Sequence, residues 1–356
     1  MTAIAESAGG DRRAQRSRIS MVIPPIMAML YPLPLIGFHA VVTAANANPS
    51  TNWTATSLIA VVLLIVAFAV PVIAWRSAIQ LSMIATPSVA EVRARRIAFL
   101  AVAAPAFFSF IGSTVFMLGA PGADVWVLGA FWAAMAVFVT TGGSVPYVVP
   151  TDSASPASIR VIHGLLALAV LLVFLGLHLA NHLTGLIGPD THKMIMKMLR
   201  HLYRAPVVEP LLIAAFAALI ATGGYMAWKF TRSTGDGFRA FQIATGVYLI
   251  FFIISHTSAV FVLARSYLGT DTDWGFATGA PTGLIRDAWN IRLVPLYALG
   301  VFCAVAHPFA GARVVLLSHG VRREVADAVV VWGAAGAGLL STVIMLGMCG
   351  LRVHFA

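Results

Sequence analysis

The chain has 356 residues, of which 60% are apolar and only 10% charged, with a mean hydropathy of +0.90. A soluble domain carries about 25% charge, so most of this sequence has no polar face to offer water and a soluble globular enzyme is excluded. The net charge of +10 sits in short connections, with no nucleic-acid motif; Lys and Arg there set membrane topology and meet anionic headgroups.

Only helices or closed barrels satisfy the backbone in lipid. The apolar runs are long and continuous rather than short and alternating, so the sequence predicts an all-α polytopic bundle of about nine spans. Residues 1–19 are polar, carry Arg12, Arg13, Arg16 and Arg18, and read as a cytoplasmic tail. The run from Met21 to Ala45 exceeds the ~7–15 apolar residues of a signal-peptide core. Ala45-Asn46-Ala47 could serve as a cleavage site, but the run is read as a retained span. Its Pro24, Pro25, Pro32 and Pro34 predict a kinked or irregular helix. Further runs of the ~20 residues that cross hydrocarbon fall at 56–75, 97–118, 125–148, 161–185, 207–228, 241–264, 292–313 and 327–350.

The chain divides into a four-span region, 20–150, and a five-span region, 151–356. With the N-terminus inside, fifteen of the 23 Lys and Arg lie on the inner side, which predicts an N-in, C-out orientation. Between the fifth and sixth runs, residues 191–204 alternate Met194, Ile195, Met198, Leu199 and Leu202 with Lys193, Lys197, Arg200 and Arg204 at helical spacing. That pattern reads as an amphipathic helix, either lying in the membrane interface or capping the bundle. The two cysteines, Cys303 and Cys349, are too few for an iron–sulfur cluster, and no CxxCH is present for covalent haem.

Histidines set the second region apart. The first four spans hold only His39; the last five hold His163, His178, His182, His256 and His307. No Asp, Glu, Lys or Arg lies deep in any span, Glu209 being near the start of the sixth. Imidazoles without carboxylates do not resemble a proton relay, but neutral imidazole binds iron well. Under the predicted topology the side chains sort by depth into an outer group (His178, His182, His256) and an inner group (His163, His307). His163 and His178 are separated by about 22 Å of helix axis, so two haems could sit toward opposite surfaces. The alternative for any one of them is a hydrogen bond to a neighbouring helix. His178 and His182 share a helix face, and either could be a ligand, the other meeting a propionate or a quinone.

The pattern from Gln242 through Thr245-Gly246 to His256 resembles the first haem-binding helix of the succinate dehydrogenase/fumarate reductase cytochrome b membrane subunits. The segment His307-Pro-Phe-Ala-Gly311-Ala-Arg313 is similar to that family's following helix, whose first histidine is an axial ligand. Arg160-Val-Ile-His163-Gly164 with His178 is a weaker echo of its two-haem members. Ile220-Ala-Thr-Gly-Gly224 hints at a degenerate duplication. The sequence departs from the family at Gln242-Ile243 and Val314, and the resemblance covers mainly 238–315. It implies b-type haem held by His163, His178, His256 and His307, electron exchange with quinone, and any dehydrogenase chemistry on a separate flavoprotein or iron–sulfur subunit. It also implies residence in a bacterial inner membrane.

In that reading Gly246 and Gly311 make room for a flat macrocycle, and Arg313 reaches a propionate. Thr270-Asp-Thr-Asp273-Trp274, with Trp289 and Asn290, would frame a quinone headgroup or form an aromatic belt. The rival is a haem-free transporter or structural membrane subunit, for which Thr141-Gly142-Gly143 and the Pro-rich first helix would be broken-helix elements.

Overall fold

A computed structural model describes residues 20–353 apart from 49, 51, 150–155 and 288; the polar tail 1–19 lies outside the described residues. No strand occurs among the described residues. The first helix, α1 (Ser20–Ala47), is followed by α2 (Thr54–Ser82). The irregularity expected from the prolines of α1 is a single interrupted turn at Tyr31, immediately before Pro32 and Pro34.

The run expected as one span at 97–118 is instead a bent pair. Helices α3 (Val89–Val102) and α4 (Ala104–Met117) meet at Ala103 at an angle of 66°. Pro105, in the first turn of α4, supplies no N–H to continue the hydrogen-bond ladder of α3. The run expected at 125–148 is also shorter as a helix. Helix α5 (Asp124–Thr140) stops before Gly142, Gly143 and Pro146. A Cβ on Gly142 would lie 2.7 Å from the Ala90 Cα, so the chain crosses α3 there only because the side chain is missing. Beyond it, Val145 O accepts from the Val89 amide and the Tyr147 amide donates to Pro87 O, pinning the segment to the start of α3.

The second region begins with α6 (Ala157–Thr184), then α7 (Pro189–Tyr203), α8 (Val208–Phe230) and α9 (Gly237–Leu268). A short turn of helix, Trp274–Thr278, precedes α10 (Asn290–Ser318) and α11 (Arg323–Met348). Seven of these helices are long and apolar enough to cross a membrane, or up to eight if the bent pair is one span. At 17 residues, α5 is the short one. The molecule is an integral membrane protein by this criterion. Leu58, Val62 and Ile65 of α2, and Trp332 and Leu339 of α11, stand exposed, as side chains facing hydrocarbon should.

Helix α9 is the shared wall. It packs on α2, α3 and α4 on one side and on α8 and α10 on the other. Arg95 fixes the two sides together at one end. Its guanidinium is wholly buried and donates to Leu81 O at the end of α2 (3.0 and 2.6 Å) and to Thr231 O and Ser233 O beyond α8 (3.2 and 2.8 Å). Carbonyls that helix ends leave without partners thus converge on one side chain.

Candidate cofactor site

Between α6, α8, α9 and α10 lies a cavity of about 1360 Å³, larger than the ~300–1,000 Å³ typical of small-ligand pockets. His163, His178, His182, His256 and His307 all line it, and so does His192 of α7. The five histidines read from the sequence are therefore brought to one space, while His39 packs near Trp289 instead, with ring centres 5.8 Å apart.

At one end the pairing is between α6 and α9. The rings of His178 and His256 have centroids 6.2 Å apart with 68° between their planes. His178 stacks on Phe174 at 5.0 Å, and His256 stacks on Phe252 at 5.4 Å. A metal held between two imidazoles, at metal–nitrogen bonds of about 2 Å, puts the ring centres about 6 Å apart, so this spacing fits one ion between them. His182 lies beside His178, with centroids 4.7 Å apart, and its buried Nδ1 has no hydrogen-bond partner.

At the other end two imidazoles are held in the same way. His163 Nδ1 lies 2.8 Å from Thr222 Oγ1, and His307 Nδ1 lies 2.9 Å from Thr245 Oγ1. Each hydroxyl donates its one proton to its own helix, Thr222 to Ala218 O at 2.6 Å and Thr245 to Phe241 O at 2.9 Å. Each imidazole must then donate from Nδ1, which leaves the Nε2 lone pair free. The supports are two copies of one tetrapeptide, Ile220-Ala-Thr-Gly223 and Ile243-Ala-Thr-Gly246. Thr222 and Thr245 each lie eight residues from the turn joining α8 and α9, about 12 Å along either axis.

The glycines divide. A Cβ on Gly246 would meet His307 Cε1 at 2.9 Å, and one on Gly223 would meet His163 Cε1 at 3.4 Å. Gly246 thus makes room for an imidazole, where the sequence suggested room for a macrocycle. Gly311 and Gly164 line the cavity with nothing within 4 Å of an added Cβ, as a flat cofactor would need.

Arg313 corrects another expectation. Its Nη2 lies 2.9 Å from Asp236 Oδ2 and its Nε 2.5 Å from Asp327 Oδ1, and the side chain does not line the cavity. The guanidinium joins α9, α10 and α11 and is not available to a propionate. Arg160 and Arg239 line that end of the cavity and Arg204 the other, and none of the three takes part in an ion pair among the described residues.

Helix α7 follows the amphipathic reading with one addition. Met194 and Met198 are about two-thirds exposed, while Lys193 and Arg200 bond Asp273 and Asp271 at 3.1 and 2.6 Å. His192, which the alternation of Met and Lys conceals, is buried under α7. Its Nε2 is 3.2 Å from Asn181 Nδ2, its ring centre is 5.3 Å from that of His182, and its Nδ1 is buried without a partner. Burial, with the Arg200 charge, pushes this imidazole down to about 4, so it is neutral at pH 7. Trp274 covers it at 4.6 Å and fills the space above Gly185. Trp289 and Asn290 do not line the cavity, so they do not join Asp273 in a headgroup frame.

Among the described residues no group of three or more His, Cys, Asp or Glu could hold a metal ion by protein ligands alone; haem iron asks the protein for one or two. Comparison of the chain with known protein families, with characterised proteins and with solved structures finds no match.

Proposed function

We propose that the chain is a b-type haem electron-transfer protein of the membrane that exchanges electrons with quinone. His178 and His256 would be the axial pair at one end of the cavity, and His163 and His307 the pair at the other. What supports the reading above all is the 6.2 Å between the rings of His178 and His256, which come from different helices and line the same cavity.

Haem b would supply one-electron chemistry, its potential set by ligands, burial and nearby charge. The chain's own residues do the rest. Thr222 and Thr245 fix the tautomer and aim of the inner imidazoles. Arg160 and Arg239, and Arg204 at the opposite end, offer guanidiniums to carboxylates at the cavity rim. Phe174, Phe252 and Leu249 keep the wall apolar. Quinone would meet the outer end, where the Nδ1 atoms of His182 and His192 lack hydrogen-bond partners and Asp273 also lines the cavity. The orientation that serves this reading is N-in, C-out, with α7 lying in the outer interface, the Met194 and Met198 face toward lipid. A separate flavoprotein or iron–sulfur subunit would supply or accept the electrons.

An optical spectrum of the purified, folded protein tests this directly. Sharp reduced-haem bands are expected, with His256→Ala lowering haem content at one end and His307→Ala at the other. A colourless folded preparation, or both variants retaining the full haem signal, overturns the assignment.

A further inference from the structure

A second cluster lies away from the cavity, where α3 approaches the end of α8. The Arg96 guanidinium stacks on the Trp228 indole with its Cζ 3.5 Å from the ring centre, and the Arg232 Cζ lies 5.8 Å from the same ring. Arg96 gives its Nε–H to Thr231 Oγ1 at 3.3 Å, and the Tyr147 hydroxyl lies beside its guanidinium. Its Nη2 and the Arg232 Nε are buried atoms without a hydrogen-bond partner. No ion pair among the described residues includes either arginine. Glu91, five residues before Arg96 on α3, is already bonded to the Ser88 amide and hydroxyl.

Two like charges sharing one indole repel, and buried donors left open cost free energy. An anion between the two guanidiniums removes both penalties. A phosphate suits them, because guanidinium forks match phosphate oxygens in pairs. Trp228 is 52% exposed near the end of a membrane-spanning helix, the depth at which aromatic side chains meet headgroups. We infer that Arg96, Arg232 and Trp228 form a binding site for the phosphodiester of an anionic phospholipid, its acyl chains running along the exposed side of α8. Basic pockets between spans bind such headgroups.

The test uses the full chain in detergent, with thermal unfolding followed as phosphatidylglycerol, phosphatidylcholine or inorganic phosphate is added. Phosphatidylglycerol is expected to raise the melting temperature, with little effect from the other two. Arg96→Gln and Arg232→Gln are each expected to weaken that response about tenfold or more in lipid concentration. Arg76→Gln, an exposed arginine toward the end of α2, leaves it unchanged. Native mass spectrometry of the unaltered protein gives a readout that does not depend on the variants folding: one anionic phospholipid retained at low collision energy. Equal shifts by phosphatidylglycerol and phosphatidylcholine overturn the site, as does an undiminished response in both Gln variants. An equal shift by inorganic phosphate overturns the lipid assignment.

Discussion

Thr222 and Thr245 decide whether two of the imidazoles can act at all. A ring free to rotate presents Nδ1 or Nε2 indifferently, and loss of a supporting partner behind a metal ligand costs about 10–100-fold in affinity. Thr222→Val and Thr245→Val keep the shape and remove the acceptor. Each is expected to lower haem retention at its end by that order, measured by haem titration, while far-UV circular dichroism stays unchanged. Equal retention in the double variant would show that the hydroxyls merely fill space. The repeated Ile-Ala-Thr-Gly is visible in the sequence, but its meaning is not. Thr222 and His163 are separated by 59 residues, and Thr245 and His307 by 62, so only the packed helices bring them together. His192 escaped for a different reason: it sits within an alternation of Met and Lys that reads fully as an interfacial helix. Arg313 looked free only because its acids, Asp236 and Asp327, come from other helices.

At the element scale an irregularity in α6 positions His178 and His182, the first of them a proposed ligand. In α6 the ladder widens over Leu171–Leu175, where the Gly176 amide reaches Leu171 O, five residues back. Such a π segment amounts to one inserted residue and often marks a functional site. It falls between His163 and His178 and rotates one relative to the other. Deleting Val173 would only close the widened turn and leave the face of His178 in place, whereas inserting one alanine after Gly176, just past that turn, should turn His178 and His182 by about 100° away from His256. The expected result is a folded protein that keeps haem at the His163 end and loses it at the His178 end, seen as a halved haem-to-protein ratio. Full occupancy after the insertion would mean that the register of α6 has no bearing on the site. Sequence periodicity located α6 and α9 to within a few residues, since twenty apolar residues leave little choice. It could not locate the π segment of α6, because its side chains are as apolar as any α-helix in lipid. The Pro105 bend and the early end of α5 were missed because hydropathy averages over the residues that break a helix.

The Asp236 junction shows how the element ends are tied. Burial alone would raise this carboxyl, but the Arg239 amide and the guanidiniums of Arg313 and Arg323 outweigh it and hold the carboxyl below its usual range. A depressed carboxyl adds stability above its unfolded value and loses it as pH falls through the folded one. Asp236→Asn is therefore expected to lower the melting temperature at pH 7 and to approach the unaltered protein as the pH drops below about 4. A pH-independent difference in scanning calorimetry would assign the effect to something other than this charge.

At the scale of the molecule, one helix serves two neighbourhoods. Because α9 carries Gly246 and His256 on its cavity side and also packs on α2, α3 and α4, the first region braces the wall that the imidazoles stand on. This was not legible from composition, which separates the two regions at residue 150 and gives no sign that they share a helix. Orientation remains a matter of charge. Fifteen Lys and Arg against eight favour the N-terminus inside, yet Lys193, Lys197, Arg200 and Arg204 crowd the opposite side. The structure gives a reason for that exception. Lys193 and Arg200 bond Asp273 and Asp271, so part of the cluster's charge is neutralised within the fold and weighs less in the topology balance. Single-cysteine probes in a chain lacking Cys303 and Cys349 test the balance. A cysteine at Thr234, exposed in the α8–α9 turn, should react with impermeant maleimide only from the cytoplasmic side; one at Thr270, exposed after α9, should react only from the outside. The reverse pattern would place the Thr222–Thr245 end of the cavity outward and move the quinone face to the cytoplasmic surface. The fold would stay the same, and only the membrane surface to which each pair of imidazoles lies closer would exchange.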